Sequence, residues 1–307
     1  MKADSKLART LAAGNFAVTA ECGPPQGADP QPIKDKASLI KDTVDAVNVT
    51  DNQTAVVRLS SLASAVVLKR MGLEPVLQMV TRDRNRIALQ SDLLGAAALG
   101  IENVLCLTGD HQSFGNQKNA RGVFDLDSIQ LVHTAKAMRD DGVLVDGTEL
   151  ESSPALFIGA AANPFADPLG FRVIRLAKKV SAGADFIQTQ CIYHNARFEE
   201  WLTQAREEGL TEKVYILGGV TPIKSARMAK YMKENVAGMD VPDDLLDRIK
   251  GVPSKNQAAE GIKMAVETIQ WLKSLKGVAG LHLMAIGWEE KVPEILEAAG
   301  LTPRPEV

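Results

Sequence analysis

The feature that most constrains this chain is an eightfold alternation of two patterns. Short apolar runs rich in β-branched residues recur at 16–22, 46–50, 75–80, 103–108, 155–161, 184–190, 213–217 and 278–283. Segments with helical spacing follow them at 32–42, 56–71, 86–99, 128–140, 168–181, 196–208, 225–234 and 289–299. Two further helical stretches, 240–250 and 257–275, stand before the eighth run. Runs of this kind suit strands covered on both faces, as in an all-parallel sheet. Eight of them interleaved with helices predict one α/β domain over 1–307, a single (β/α)8 TIM barrel with extra helices near its C-terminal part. A doubly wound open sheet is the main rival. The count of eight and the absence of any break in composition favour the barrel, and 307 residues exceed the roughly 250 that such a barrel needs.

Composition removes several classes of function. A net charge of -3 gives no basic face for nucleic acid. No apolar run approaches the ~20 residues of a membrane span. Cys22, Cys106 and Cys191 are far apart and form no Cys-x-x-Cys, which predicts a reduced, cytoplasmic protein without a disulfide framework.

In a barrel of this type the reacting groups sit at the C-terminal ends of the strands. That rule collects Glu21, Thr50, Gln78, Thr108, Asp110, Asn163, Gln190 and His282. Amides and hydroxyls can read a planar heterocycle that carries both donors and acceptors. Glu21 ends the first strand just before Gly23-Pro24-Pro25, half inside an apolar wall, where desolvation favours a neutral carboxyl. Two carboxylates in one mouth, Glu21 and Asp110, are expected to divide into one protonated and one charged group. A long polar connection from 111 to 125 follows the fourth strand, and loops of that length are usually functional or disordered. Arg172, Arg175, Lys178 and Lys179 make a basic run on one helix, which reads either as a solvated face or as a phosphate clamp.

Other templates are absent. No Gly-x-x-x-x-Gly-Lys-Ser/Thr, no Gly-x-Gly-x-x-Gly after a strand and no His-Glu-x-x-His occurs. His111, His194 and His282 fall near strand ends, but no His-x-His pair marks a metal site, so none is expected.

Several motifs in fixed order resemble the 5,10-methylenetetrahydrofolate reductase family, from Thr19 to Gly300. They are Glu21 with Pro24-Pro25, Val49-Thr50, Leu107-Thr108-Gly109-Asp110, Ala161-Ala162-Asn163-Pro164, the run from Ser181 to Gln190, and Gly280-Leu281-His282. The resemblance implies a flavin, FAD with FMN as the alternative, that passes a hydride to methylenetetrahydrofolate. It implies Glu21 as general acid and Asp110 as the carboxylate beside flavin and pterin. Gln190 and Met228, with Glu21 and Asp110, would meet the substrate. Thr50, Gln78, Leu107, Thr108, Gly109, Asp110, Ala161, Ala162, Asn163, Arg175, Lys178 and Lys179 would meet the flavin, as would Phe124 and Asp125 from the long loop.

The chain departs from the family pattern where Gln78 stands for a frequent His, Thr108 for Arg, Asn163 for Tyr and Trp288 for Arg. Met228 replaces an amide, and Met232 an aromatic that stacks on a nicotinamide. The electron donor is therefore NADH or NADPH, or else a protein subunit. An oligomer is compatible with the sequence. Two alternatives stand beside the reductase: a flavin-free barrel that moves a methyl group from folate to a corrinoid protein, and a non-catalytic folate-binding subunit.

Overall fold

The strands close on themselves. The computed structural model describes residues 2–236 and 238–307. Eight parallel strands, β1 (Ala17–Cys22), β2 (Ala46–Val49), β3 (Pro75–Val80), β4 (Asn103–Leu107), β5 (Phe157–Ala162), β6 (Phe186–Cys191), β7 (Tyr215–Val220) and β8 (Gly280–Leu283), pair in sequence order. The ring is completed by β1 against β8, with Thr19 opposite His282. β1, β2, β3 and β8 are buried along their whole length, as strands covered by helices outside and side chains inside must be.

Eleven α-helices are present among the described residues. The first, α1 (Lys6–Ala12), precedes β1, and α2 (Gln31–Ile40), α3 (Ser61–Arg70), α4 (Arg86–Ala98) and α5 (Ser128–Lys136) follow the first four strands. Next come α6 (Phe171–Ala182), α7 (Asn195–Glu207) and α8 (Ala226–Asn235). α9 (Asp243–Lys250) and α10 (Gln257–Ser274) also lie between β7 and β8, and α11 (Val292–Ala298) closes the chain. The expected α/β barrel with extra helices in its C-terminal part is what forms.

Two local expectations give way. The predicted helix at 56–71 starts only at Ser61, because the Ser60 hydroxyl accepts from Ala63 N–H and caps it there. Residues ahead of it form a tight turn instead, with Asn52, Thr54 and Ala55 at φ of 43°, 55° and 57°. α1 lies outside the expected pattern altogether. It is seven residues long, too short to show a periodicity, and it is begun by the Ser5 hydroxyl, which accepts from Ala8 N–H.

α1 has a definite task. Leu7, Ala8 and Leu11, with Ala3 ahead of the helix, join the inward residues Ala17, Ala46, Val76, Leu105, Phe157, Phe186 and Leu217 in one buried cluster. The helix is thus a stopper across the N-terminal end of the barrel, and Phe157 stacked on Phe186 at 5.1 Å fills the space above it. Beside it, Asp45 accepts from Val18 N–H at 2.7 Å and pairs with Arg304 at 2.6 Å, tying the chain's last residues to β1. With the lower end sealed and stapled, the opening lies at the other end. Leu7 is fully buried in this stopper. Leu7→Ala is expected to lower unfolding free energy by about 2–5 kcal/mol, read from urea denaturation curves.

Candidate active site

The interior of the barrel is polar in the layer just below its open end. Gln188 on β6 and Asn48 on β2 exchange amide hydrogen bonds of 2.6 and 3.0 Å across the lumen. The Gln188 amide also donates to Thr19 Oγ1 at 3.1 Å, and Thr19 Oγ1 lies 2.9 Å from His282 Nδ1. Burial pushes His282 down to about 3, so the imidazole is neutral. Every member of this layer has a partner, which makes it a rigid floor.

Above the floor is a cavity of about 690 Å³. Glu21, Gln78, Leu107, Ala161, Ala162, Asn163, Arg175, Lys179 and Gln190 all line it, so nine of the residues expected at the site share one cavity. Gln188 and His282 form its base, and Arg172 and Phe171 stand at its α6 side. Gln190 is turned inward at a break in the β6–β7 register between Gln188 and Cys191, as strand irregularities beside active sites commonly do.

Glu21 is the penultimate residue of β1 and only 9% exposed. Burial drives its carboxyl up, an amide hydrogen bond from Gln53 at 3.2 Å opposes this, and Glu289 adds a further rise; the result is about 7. The acidic strand end read from sequence is therefore a carboxyl that can hold its proton near neutrality. Opposite in character is the α6 wall. Lys179 is buried, donates to the Ala161 carbonyl, and is lowered to about 8 by burial and by Arg175 beside it. Lys179, Arg175 and Arg172 give one side of the cavity a positive surface, facing a single carboxyl.

The remaining expected residues lie around the rim. Thr50 follows β2 with a buried hydroxyl that has no hydrogen-bond partner. Thr108 Oγ1 accepts from Ser128 N–H at 3.1 Å. Gly109 has φ +86°, and a Cβ there would meet Val80 Cβ at 3.1 Å, so only glycine turns the chain this tightly against β3. Asp110 is exposed beyond the cavity wall, its carbonyl held by Arg82. Asp125 is clamped by Arg86 through its backbone N–H and its guanidinium, at 2.8–2.9 Å, which pulls the carboxyl to about 2. Neighbouring Phe124 is partly exposed. Lys178 is exposed, its ammonium 5.8 Å from the centre of the Phe171 ring, and it does not itself line the cavity. Met228 lies against Lys224 N–H and Met232 is buried under the Tyr193 hydroxyl; neither forms part of the cavity wall.

No cluster of three metal-ligating side chains occurs among the described residues. Cys22, Cys106 and Cys191 are free and buried, and burial raises each thiol to about 12, so none is a nucleophile. No helix is long and apolar enough to cross a membrane.

The geometry has known counterparts. The family profile described as methylenetetrahydrofolate reductase matches residues 6–300. A probable methylenetetrahydrofolate reductase (NADPH) from Caenorhabditis elegans is 24% identical over 248 residues, covering 79% of this chain and 34% of that protein. Methylenetetrahydrofolate reductase (NADH) 1 from Arabidopsis thaliana is 29% identical over 214 residues, 66% of this chain and 34% of that one. The chain thus spans about a third of the length of these relatives. Among solved structures, an uncharacterized protein from Clostridium thermocellum that binds two copies of 5-methyl-5,6,7,8-tetrahydrofolic acid has a TM-score of 0.61. It is 12% identical, with 96% of this chain and 97% of that one covered, and it shares the fold.

The raised Glu21 carboxyl has a consequence for stability. Its folded value lies above the unfolded 4.5, so the folded state binds the extra proton between the two values and loses stability as pH rises through that window. Glu21→Gln is therefore expected to be more stable than the parent at pH 8 by on the order of 3 kcal/mol, and to unfold at a higher temperature there. The gain should vanish near pH 4, and calorimetry at the two pH values checks it.

Proposed function

Because the chain belongs to the methylenetetrahydrofolate reductase family, we propose that its barrel mouth interconverts 5,10-methylenetetrahydrofolate and 5-methyltetrahydrofolate with the help of a bound flavin. The observation that carries this reading is the Glu21 carboxyl, raised to about 7 at the edge of a cavity large enough for stacked rings. Opening the five-membered ring between N5 and N10 of the folate requires a proton. Glu21, itself largely buried, holds one near neutral pH and delivers that proton as general acid. Gln190, turned into the cavity beside it, orients the pterin by hydrogen bonding. Glu21 and Gln190, both in the cavity wall, are the proposed substrate contacts, with Asp110 at the rim; Met228, expected among them from the sequence, lies outside the wall.

The residues present fit a flavin. The unpartnered Thr50 hydroxyl and the Gln78 amide offer hydrogen bonds to a polar ring edge. Ala161 and Ala162 leave the β5 side of the wall low and flat, and the Gly109 turn brings backbone close to the rim. Arg175 and Lys179 face the cavity where a phosphate needs cations. When bound, a flavin supplies the hydride carrier. Asn163, held by the Gly238 carbonyl and Phe165 N–H, would meet the flavin from the cavity wall. Leu107, in the cavity wall, and Thr108, Asp110, Phe124, Asp125 and Lys178, around its rim, would complete the contacts to FAD, or to FMN.

Glu21→Gln keeps the shape and removes the proton. The variant is expected to retain flavin and its reduction by donor, while folate turnover falls roughly 10²-fold or more. Near-normal turnover would exclude Glu21 as the acid. Lys179→Met removes the buried cation and is expected to weaken flavin affinity at least about tenfold, measured by fluorescence titration of the apoprotein.

The donor is proposed to be a protein subunit rather than a dinucleotide in direct contact. Met228 and Met232, standing where an amide and an aromatic would meet a nicotinamide, are withdrawn from the cavity wall. Stopped-flow mixing with NADH and with NADPH checks this. Slow, unsaturable bleaching of the flavin is expected, and rapid saturable bleaching with either would favour the dinucleotide.

A further inference from the structure

Glu21 has one hydrogen-bond donor among the described residues, and it comes from an unusual piece of chain. Gln53 Nε2 reaches Glu21 Oε1 at 3.2 Å from the turn that follows β2. In that turn Asn52, Thr54 and Ala55 have φ of 43°, 55° and 57°, three of the four non-glycine residues with positive φ among those described. Left-handed backbone is unfavourable for residues with a Cβ and persists only where the surroundings impose it. Here they do. Asn52 Oδ1 accepts from Arg58 N–H at 3.0 Å, its carbonyl accepts from Arg82 at 3.2 Å, and its amide donates to Asp83 at 3.3 Å. At the other end, the Ala55 carbonyl packs against Gly115 so closely that a Cβ there would lie 1.7 Å from its oxygen. The turn is held at both ends, with Gln53 between the two anchors.

We propose that Gln53 is a positioning residue for Glu21: its amide fixes the carboxyl at the cavity edge and, by favouring the charged form, sets how readily the proton is released. This rests on the reading of Glu21 as the general acid. The left-handed residues on either side are imposed by their own anchors, and the turn so fixed presents the Gln53 amide to the Glu21 carboxyl. The other charged or titratable groups around Glu21 act without touching it. Glu289, in the turn ahead of α11, and Lys36 on α2 form an ion pair of 2.9 Å and oppose each other. Cys22 and Cys191 are protonated thiols, and His282 is neutral. Arg172, Arg175 and Lys179 belong to the α6 side of the cavity. That leaves Gln53 as the direct handle on this carboxyl.

The test reads Glu21 itself. The full chain is labelled with ¹³C at the glutamate side-chain carboxyls, and the Glu21 signal is identified by its loss in Glu21→Gln. Its titration midpoint is then followed by NMR. Gln53→Met keeps length and bulk but has no donor. The midpoint is expected to move up by about one pH unit, the worth of a hydrogen bond to a charged group. Gln53→Glu places a second carboxyl there and is expected to move it further up. Gln53→Asn keeps the amide but withdraws it by one methylene and serves if the methionine variant misfolds; the upward shift is expected here too. An unchanged midpoint in a folded Met or Asn variant overturns the proposal. Turnover of Glu21→Gln is a separate measurement: it can exclude Glu21 as the acid while leaving the titration result standing, and a null titration leaves the role of Glu21 untouched.

Discussion

The pairing of β1 with β8 is the contact on which the site depends. Thr19 and His282 are separated by 263 positions in the chain, yet their side chains meet at 2.9 Å. Until that seam closes, Glu21 is an exposed carboxylate at the end of an edge strand. Once it closes, the same residue stands at the rim of a lumen whose floor is already saturated with hydrogen bonds. No spare donor rises from Asn48, Gln188 or Thr19 to solvate it, because each is engaged with a neighbour in its own layer. Desolvation then follows from topology, and the proton affinity of Glu21 is a property of the closed ring more than of the residue.

Charge is segregated across the cavity. The acid stands on β1, and the cations stand on α6 behind β5, half a turn of the barrel away. Such a separation suits a ligand with an anionic end and a reacting end, because the two groups cannot neutralise each other before it arrives. The Lys179 ammonium is lowered by burial and by Arg175, so an incoming anion would restore proton affinity that those two effects remove.

Much of this was legible in the sequence for a physical reason. Strands covered on both faces are almost wholly apolar, so their polar terminal residues stand out; Glu21, Gln78 and Gln190 were visible on that ground, and all three line the cavity. The Gly23-Pro24-Pro25 stop marked the end of the first strand. What escaped detection depends on contacts made at long range. α1 is short, and its burial is decided by strands that come far later in the chain. Gln188 lay within a quoted motif, but its amide pairing with Asn48 spans 140 positions. Asp125 looked like a cofactor ligand, while its clamp by Arg86 is set by the path of the long loop. Gln53 gave no signal, because a left-handed turn built without glycine has no compositional mark.

The stopper at the lower end of the barrel has a consequence for how the chain acquires its fold. α1 is made before any strand of the barrel, but the surface that buries Leu7 and Leu11 includes Phe186 and Leu217, which are made much later. During synthesis the helix has an apolar face and no place to put it. Its docking has a high contact order and belongs to the last stages of folding, after loop closure has been achieved across most of the chain. The residues of α1 thus leave the ribosome long before their apolar face is covered, and that interval is when a nascent barrel of this design is most exposed to aggregation or to capture by a chaperone.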